Sequence, residues 1–73
     1  MHKLTRRQTV VLEAIQKYVQ EHHYSPSYRE LGTILGIASS STVSTHLQKL
    51  KNKGYIDWME GQPRTLRIIK TAS

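Results

Sequence analysis

The residues from Ser39 to Thr45 read SSSTVST, so six of seven side chains carry a hydroxyl and only Val43 interrupts them. A hydroxyl both donates and accepts hydrogen bonds on a short stem, which suits it either to a solvated, flexible linker or to close contact with polar edges such as those of nucleic-acid bases. Around this run the chain is basic: 11 Lys and Arg stand against 5 Asp and Glu, a net charge of +6 over 73 residues. A balance this positive favours an acidic partner, whether nucleic acid, an anionic membrane surface or an acidic protein. Four histidines, His2, His22, His23 and His46, have no carboxylate at a ligand spacing, and neighbours His22 and His23 would point apart on a helix. No metal or other cofactor is therefore expected. Cysteine is absent, which excludes disulfides and thiolate chemistry. Without a nucleophile–base pair or a Gly-rich phosphate loop, an enzyme is not expected.

These side chains need elements to hold them. Thr5 followed by Gln8 is a capping-box pattern, and Val11, Ile15, Tyr18 and Val19 recur at helical spacing, predicting an amphipathic helix over Arg6–His22. Pro26 holds Ser25 extended. Ser27 and Glu30 make a second capping box ahead of Leu31, Ile34 and Leu35, and Gly36 supplies the left-handed residue that ends a short helix over Tyr28–Leu35. Gly32, bare in mid-helix, lets another helix approach closely. Val43, Leu47 and Leu50 fall on one helical face, a period that a linker has no reason to keep. The hydroxyl run thus belongs to a third helix over Ser40–Asn52, with Ser39 or Ser40 as N-cap and Gly54 beyond its lysine-rich end. Tyr55, Ile56, Trp58 and Met59, then Leu66, Ile68 and Ile69, flank the turn signal EGQP and predict a β-hairpin. One small domain over 1–73 is expected, mainly α with a small β-hairpin: a winged helix-turn-helix of three helices plus wing. The turn between Gly36 and Val43 is about one residue longer than in the simplest helix-turn-helix unit. Its expected core is Val11, Leu12, Ile15, Val19, Leu31, Ile34, Leu35, Val43, Leu47, Leu50, Ile56 and Ile68, with Trp58 covering it from the hairpin.

The segments LTRRQ, YSPSYRELG, LGIASSSTVSTHLQKLKNKGYI and PRTLRI, in this order and with no large insertion, resemble the DNA-binding domain of LexA, the SOS-response repressor. The likeness is greatest to the Gram-positive branch of that family. The resemblance implies a third helix docked in the major groove of a palindromic operator, with two copies per operator. Matched position by position, it implies that Ser39, Ser41, Thr42, Ser44 and Thr45 face the bases. At Ser44 and Thr45 the sequence departs from the relatives it most resembles. Family members continue into a linker and a C-terminal domain whose serine–lysine dyad drives self-cleavage and dimerisation. No such segment follows within these 73 residues, so self-cleavage is not expected of them, whether the chain is an excised domain or a stand-alone regulator. The expected free state is a monomer or weak dimer.

The basic residues have a different task. Arg6, Arg7, Arg29, Lys49, Lys51, Lys53, Arg64 and Arg67 are candidates to neutralise phosphates, Lys53 and Arg64 foremost, and the helix starts at Ser27 and Ser40 offer exposed N–H groups for the same purpose. The expected function is sequence-specific binding of double-stranded DNA by a transcriptional repressor, cytoplasmic and nucleoid-associated in a bacterium or encoded by a phage. A rival from another class is a winged-helix module that binds a repressor or polymerase without reading DNA. It would display Tyr55, Trp58 and Met59 as an exposed apolar patch. A role at a membrane surface is disfavoured, because Glu13 and Glu21 interrupt the first helix's cationic face.

Overall fold

A computed structural model describes residues 4–62 and 64–70; His2, Pro63 and Ser73 lie outside the described residues. Three helices are followed by a two-stranded antiparallel hairpin: α1 Arg6–His22, α2 Tyr28–Leu35, α3 Ser40–Asn52, β1 Ile56–Asp57 and β2 Arg67–Ile68.

Two helix starts are built alike. At α1 the Thr5 hydroxyl accepts from Gln8 N–H at 3.1 Å while Thr5 N–H donates to Gln8 Oε1 at 3.0 Å. At α2 the Ser27 hydroxyl accepts from Glu30 N–H at 3.1 Å and Ser27 N–H donates to Glu30 Oε1 at 2.9 Å. Each box satisfies two backbone donors that a helix start leaves without partners. α1 ends on His23 with φ 64° and α2 on Gly36 with φ 71°, the left-handed conformation that closes a helix. Beyond Gly36, Ile37 N–H donates back to Gly32 O at 2.8 Å, so the chain turns at once towards α3.

The core is shared by all three helices and the wing. Val11, Leu12 and Ile15 of α1, Leu31 of α2, Val43, Leu47 and Leu50 of α3, and Ile56 of β1 are fully buried, joined by Leu66. Gly32 sits where α2 meets α3: a Cβ there would lie 3.0 Å from Ile37 O and 3.4 Å from a Val43 methyl. That contact is the close approach its missing side chain permits.

The core differs from expectation at a few positions. Ile34 is half exposed, not buried. At about 100° per residue, Leu31, Gly32 and Leu35 lie on one side of α2 and Ile34 is roughly a right angle away from them. Val19, Leu35, Ile68 and Trp58 flank the core as half-buried residues, whereas Leu66 is inside it. The hairpin ladder is also shorter than the apolar pattern suggests: among the described residues it pairs only Ile56 with Ile68 and Asp57 with Arg67. Side chains take over the next backbone groups: Asp57 Oδ1 accepts from Trp58 N–H at 2.9 Å, and Thr65 Oγ1 accepts from Met59 N–H at 2.9 Å. With those donors satisfied locally, the strands stop.

Candidate nucleic-acid interface

α3 presents its polar face as a consequence of its buried one. Val43, Leu47 and Leu50 point into the core, so the row directly opposite, Ser41, Thr45, Gln48 and Asn52, is the most outward, and all four are exposed. Thr42 and Lys49 flank this row on one side, also exposed, and Ser44 is half-buried on the other. Ser39 and Ser40 are exposed at the start of the helix. The five hydroxyl residues singled out for base contact thus share the outer surface and the start of α3, with Ser44 the most recessed. Gln48 and Asn52 lie on the same row but outside the hydroxyl run; the i, i+4, i+7 spacing continued from Ser41 reaches Gln48.

The start of α3 is unlike the other two. Ser39 is the N-cap by backbone geometry, but its hydroxyl makes no capping hydrogen bond. The first-turn N–H groups therefore have no side-chain cap, and α3 has no acidic residue in its first turn. A helix N-terminus in this state carries partial positive charge and outward-facing donors, suited to an anion. The start of α2 is different: the Ser27 box is closed and Glu30 places a carboxylate there. That geometry favours Ser40 over Ser27 as an anion site.

Several charged groups gather around α3. Arg6 and Arg7 are exposed on the first turn of α1, and the positive charges of Arg7 and Lys49 reach His46. His46 is half-buried, and burial, then Arg7 and Lys49, push its pKa below the ordinary 6.5; its Nδ1 is buried with no hydrogen-bond partner. Lys53 Nζ donates to Gln8 Oε1 at 2.7 Å, which fixes the C-terminal end of α3 to the capping box of α1.

Arg64 has its principal partners inside the protein. Its guanidinium lies 2.9 Å from Glu30 Oε1, donates to Ser25 O at 3.2 Å and sits 4.9 Å over the Tyr24 ring. Glu30 is held down at a pKa of about 2, by Arg64 first and by Ser27 N–H next. The two lead phosphate candidates from the sequence, Lys53 and Arg64, therefore both attach to the acceptor of a capping box. Each acts as a tertiary tie, joining an element distant in the chain to a helix start. Lys51 is 3.7 Å from both Asp57 and Glu60 and 4.4 Å over the Trp58 ring, and Arg67 is 3.4 Å from Asp57. Arg29 is exposed on α2.

The apolar patch required by the protein-interaction reading is not formed as a unit. Tyr55 and Trp58 are half-buried against the core, and Trp58 Nε1–H donates to Glu60 at 3.1 Å. Of the three, Met59 is the exposed one. Among the described residues no group of three or more His, Cys, Asp or Glu could hold a metal ion, and no helix is long and apolar enough to cross a membrane.

Comparison with known proteins agrees with this geometry. Residues 1–65 match the family model of the LexA DNA binding domain. The chain is 49% identical over 69 residues to the LexA repressor of Bacillus mycoides (strain KBAB4), and equally to those of Bacillus cereus (strain Q1) and Bacillus anthracis. Each alignment covers 94% of this chain and 34% of the relative, so the chain spans about a third of the length of these repressors. With all three helices, the outward polar α3 and the first strand of the wing inside the family match over residues 1–65, this chain belongs to the LexA DNA-binding domain family.

Proposed function

We propose that residues 1–73 form a single domain that binds double-stranded DNA in a sequence-specific manner, as the reading head of a LexA-type repressor. α3 enters the major groove, two copies occupy a palindromic operator, and the free protein is a monomer or weak dimer. The observation that carries this reading is the surface of α3: an uncapped, acid-free N-terminus leading into an outward polar row, with Lys49 flanking that row and the charge of Arg7 reaching His46 of the same helix. Ser39, Ser41, Thr42, Ser44 and Thr45 face bases, and a threonine methyl can also pack on a thymine methyl. Arg6, Arg7, Lys49, Arg29 and the N–H groups at Ser40 hold phosphates, which positions the domain without reading sequence. Lys53 and Arg64 support that surface from within by tying α3 and the wing to α1 and α2.

Single replacements of Ser41 and Thr42 by alanine test the assignment. Each removes a neutral hydrogen-bonding group worth about 1 kcal/mol, so specific binding weakens about fivefold while binding to an unrelated duplex is unchanged. An equal fall in both would mean that α3 is not the reader.

A further inference from the structure

Two amides on α3 form a device that the hydroxyl run does not explain. Gln48 Nε2 donates to Asn52 Oδ1 at 3.2 Å, one helical turn away, on the exposed face opposite Val43, Leu47 and Leu50. The bond occupies one of Gln48's two N–H donors and fixes which end of the amide faces Asn52. The second N–H and the carbonyl oxygen stay available as one donor and one acceptor on the same amide.

The neighbour on this row is equipped differently. Thr45 gives its hydroxyl proton to Ser41 O at 2.9 Å, so it can offer only lone pairs and a methyl outward. Gln48 follows about 4.5 Å further along the helix axis and presents a full donor–acceptor pair. Adenine has the complementary pair in the major groove, an N6 amino donor beside the N7 acceptor. Guanine shows two acceptors there, and one of them would oppose the Gln48 oxygen.

We infer that Gln48 is a specificity-determining residue that reads an adenine through its amide, and that Asn52 is a positioning residue that holds this amide in the reading orientation. The inference rests on the proposed docking of α3 in the major groove.

Enrichment from a randomised duplex pool tests it, using the whole 73-residue chain and four variants with exposed side chains altered. The unaltered chain should enrich a motif with adenine at one position that Gln48→Ala leaves unspecified, at a preference of about tenfold over guanine. Gln48→Glu, an acceptor without a donor, should move that position from adenine to cytosine. Asn52→Ala should broaden the same position and leave the others intact. Asn52→Asp keeps the accepting oxygen, so it should retain the adenine preference while binding every duplex more weakly. The inference is overturned if Gln48→Ala and Gln48→Glu enrich the same motif as the unaltered chain, with equal stringency. Failure of the unaltered chain to enrich any motif would overturn the docking of α3 as well, which separates the two outcomes.

Discussion

Glu30 is a residue with two duties. One oxygen accepts the Ser27 N–H that closes the α2 capping box and also meets Arg64 from the wing. Because its pKa falls from an ordinary 4.5 to about 2 in the folded protein, the unfolded chain takes up a proton first as pH drops. The stabilisation is therefore complete above about pH 4.5 and is lost progressively as pH falls towards 2. Thermal melts across that range should show a slope that Glu30→Gln flattens, since glutamine keeps the capping oxygen without the charge. His46 acts in a higher window. Its folded pKa lies below 6.5, so the neutral ring is the folded form and stability is lost as pH falls below 6.5. His46→Gln should remove that part of the pH dependence in the same melts. Neither partnership was legible in the sequence. Glu30 was readable as a capping residue because its partner is three residues away, but Arg64 comes from the other end of the chain. A lone arginine near a turn looks the same whether it meets a phosphate or a carboxylate.

At the scale of elements, the helices were legible because their signals are local. Thr5 with Gln8, Ser27 with Glu30, and Gly36 each state a helix end within four residues, and the observed bounds of α1, α2 and α3 match those signals. The hairpin was legible in kind but not in length, because Asp57 and Thr65 bond to backbone groups that an apolar pattern assigns to the ladder. Ile34 misled because a two-turn helix can roll either way, and Gly32 decides which way α2 faces by admitting α3 against its own backbone. A side chain at Gly32 should therefore cost more than helix propensity alone. Gly32→Val would press a branched group on Ile37 O and Val43, with an expected loss of about 1–3 kcal/mol. For a domain of this size that lowers the melting temperature by about 4 °C or more. An unchanged melting temperature would mean that the α2–α3 approach has slack.

For the whole molecule, the net charge of +6 has a definite arrangement. Part of it meets partners within the chain: Lys53 on Gln8, Arg64 on Glu30, and Lys51 and Arg67 around Asp57 hold α3 and the wing against the rest. Arg6, Arg7, Arg29 and Lys49 are exposed for an outside partner. A phosphate-holding residue adds affinity without sequence preference and contributes roughly 0.9 to the slope of log affinity against log salt. Arg7→Ala should weaken binding to every duplex alike and reduce that slope by about that amount. A loss confined to one sequence would instead make Arg7 a base reader.

The central claim is that α3 reads bases rather than only feeling phosphates. Its most direct test is a fluorescence-anisotropy titration of the chain against a duplex carrying the proposed palindromic operator and against a scrambled duplex, each at two salt concentrations. Base readout predicts a preference for the operator that persists at the higher salt, because counterion release weakens both duplexes together and leaves their ratio standing. Equal affinities that vanish together as salt rises would contradict it, leaving a basic domain that senses only the charge of the backbone.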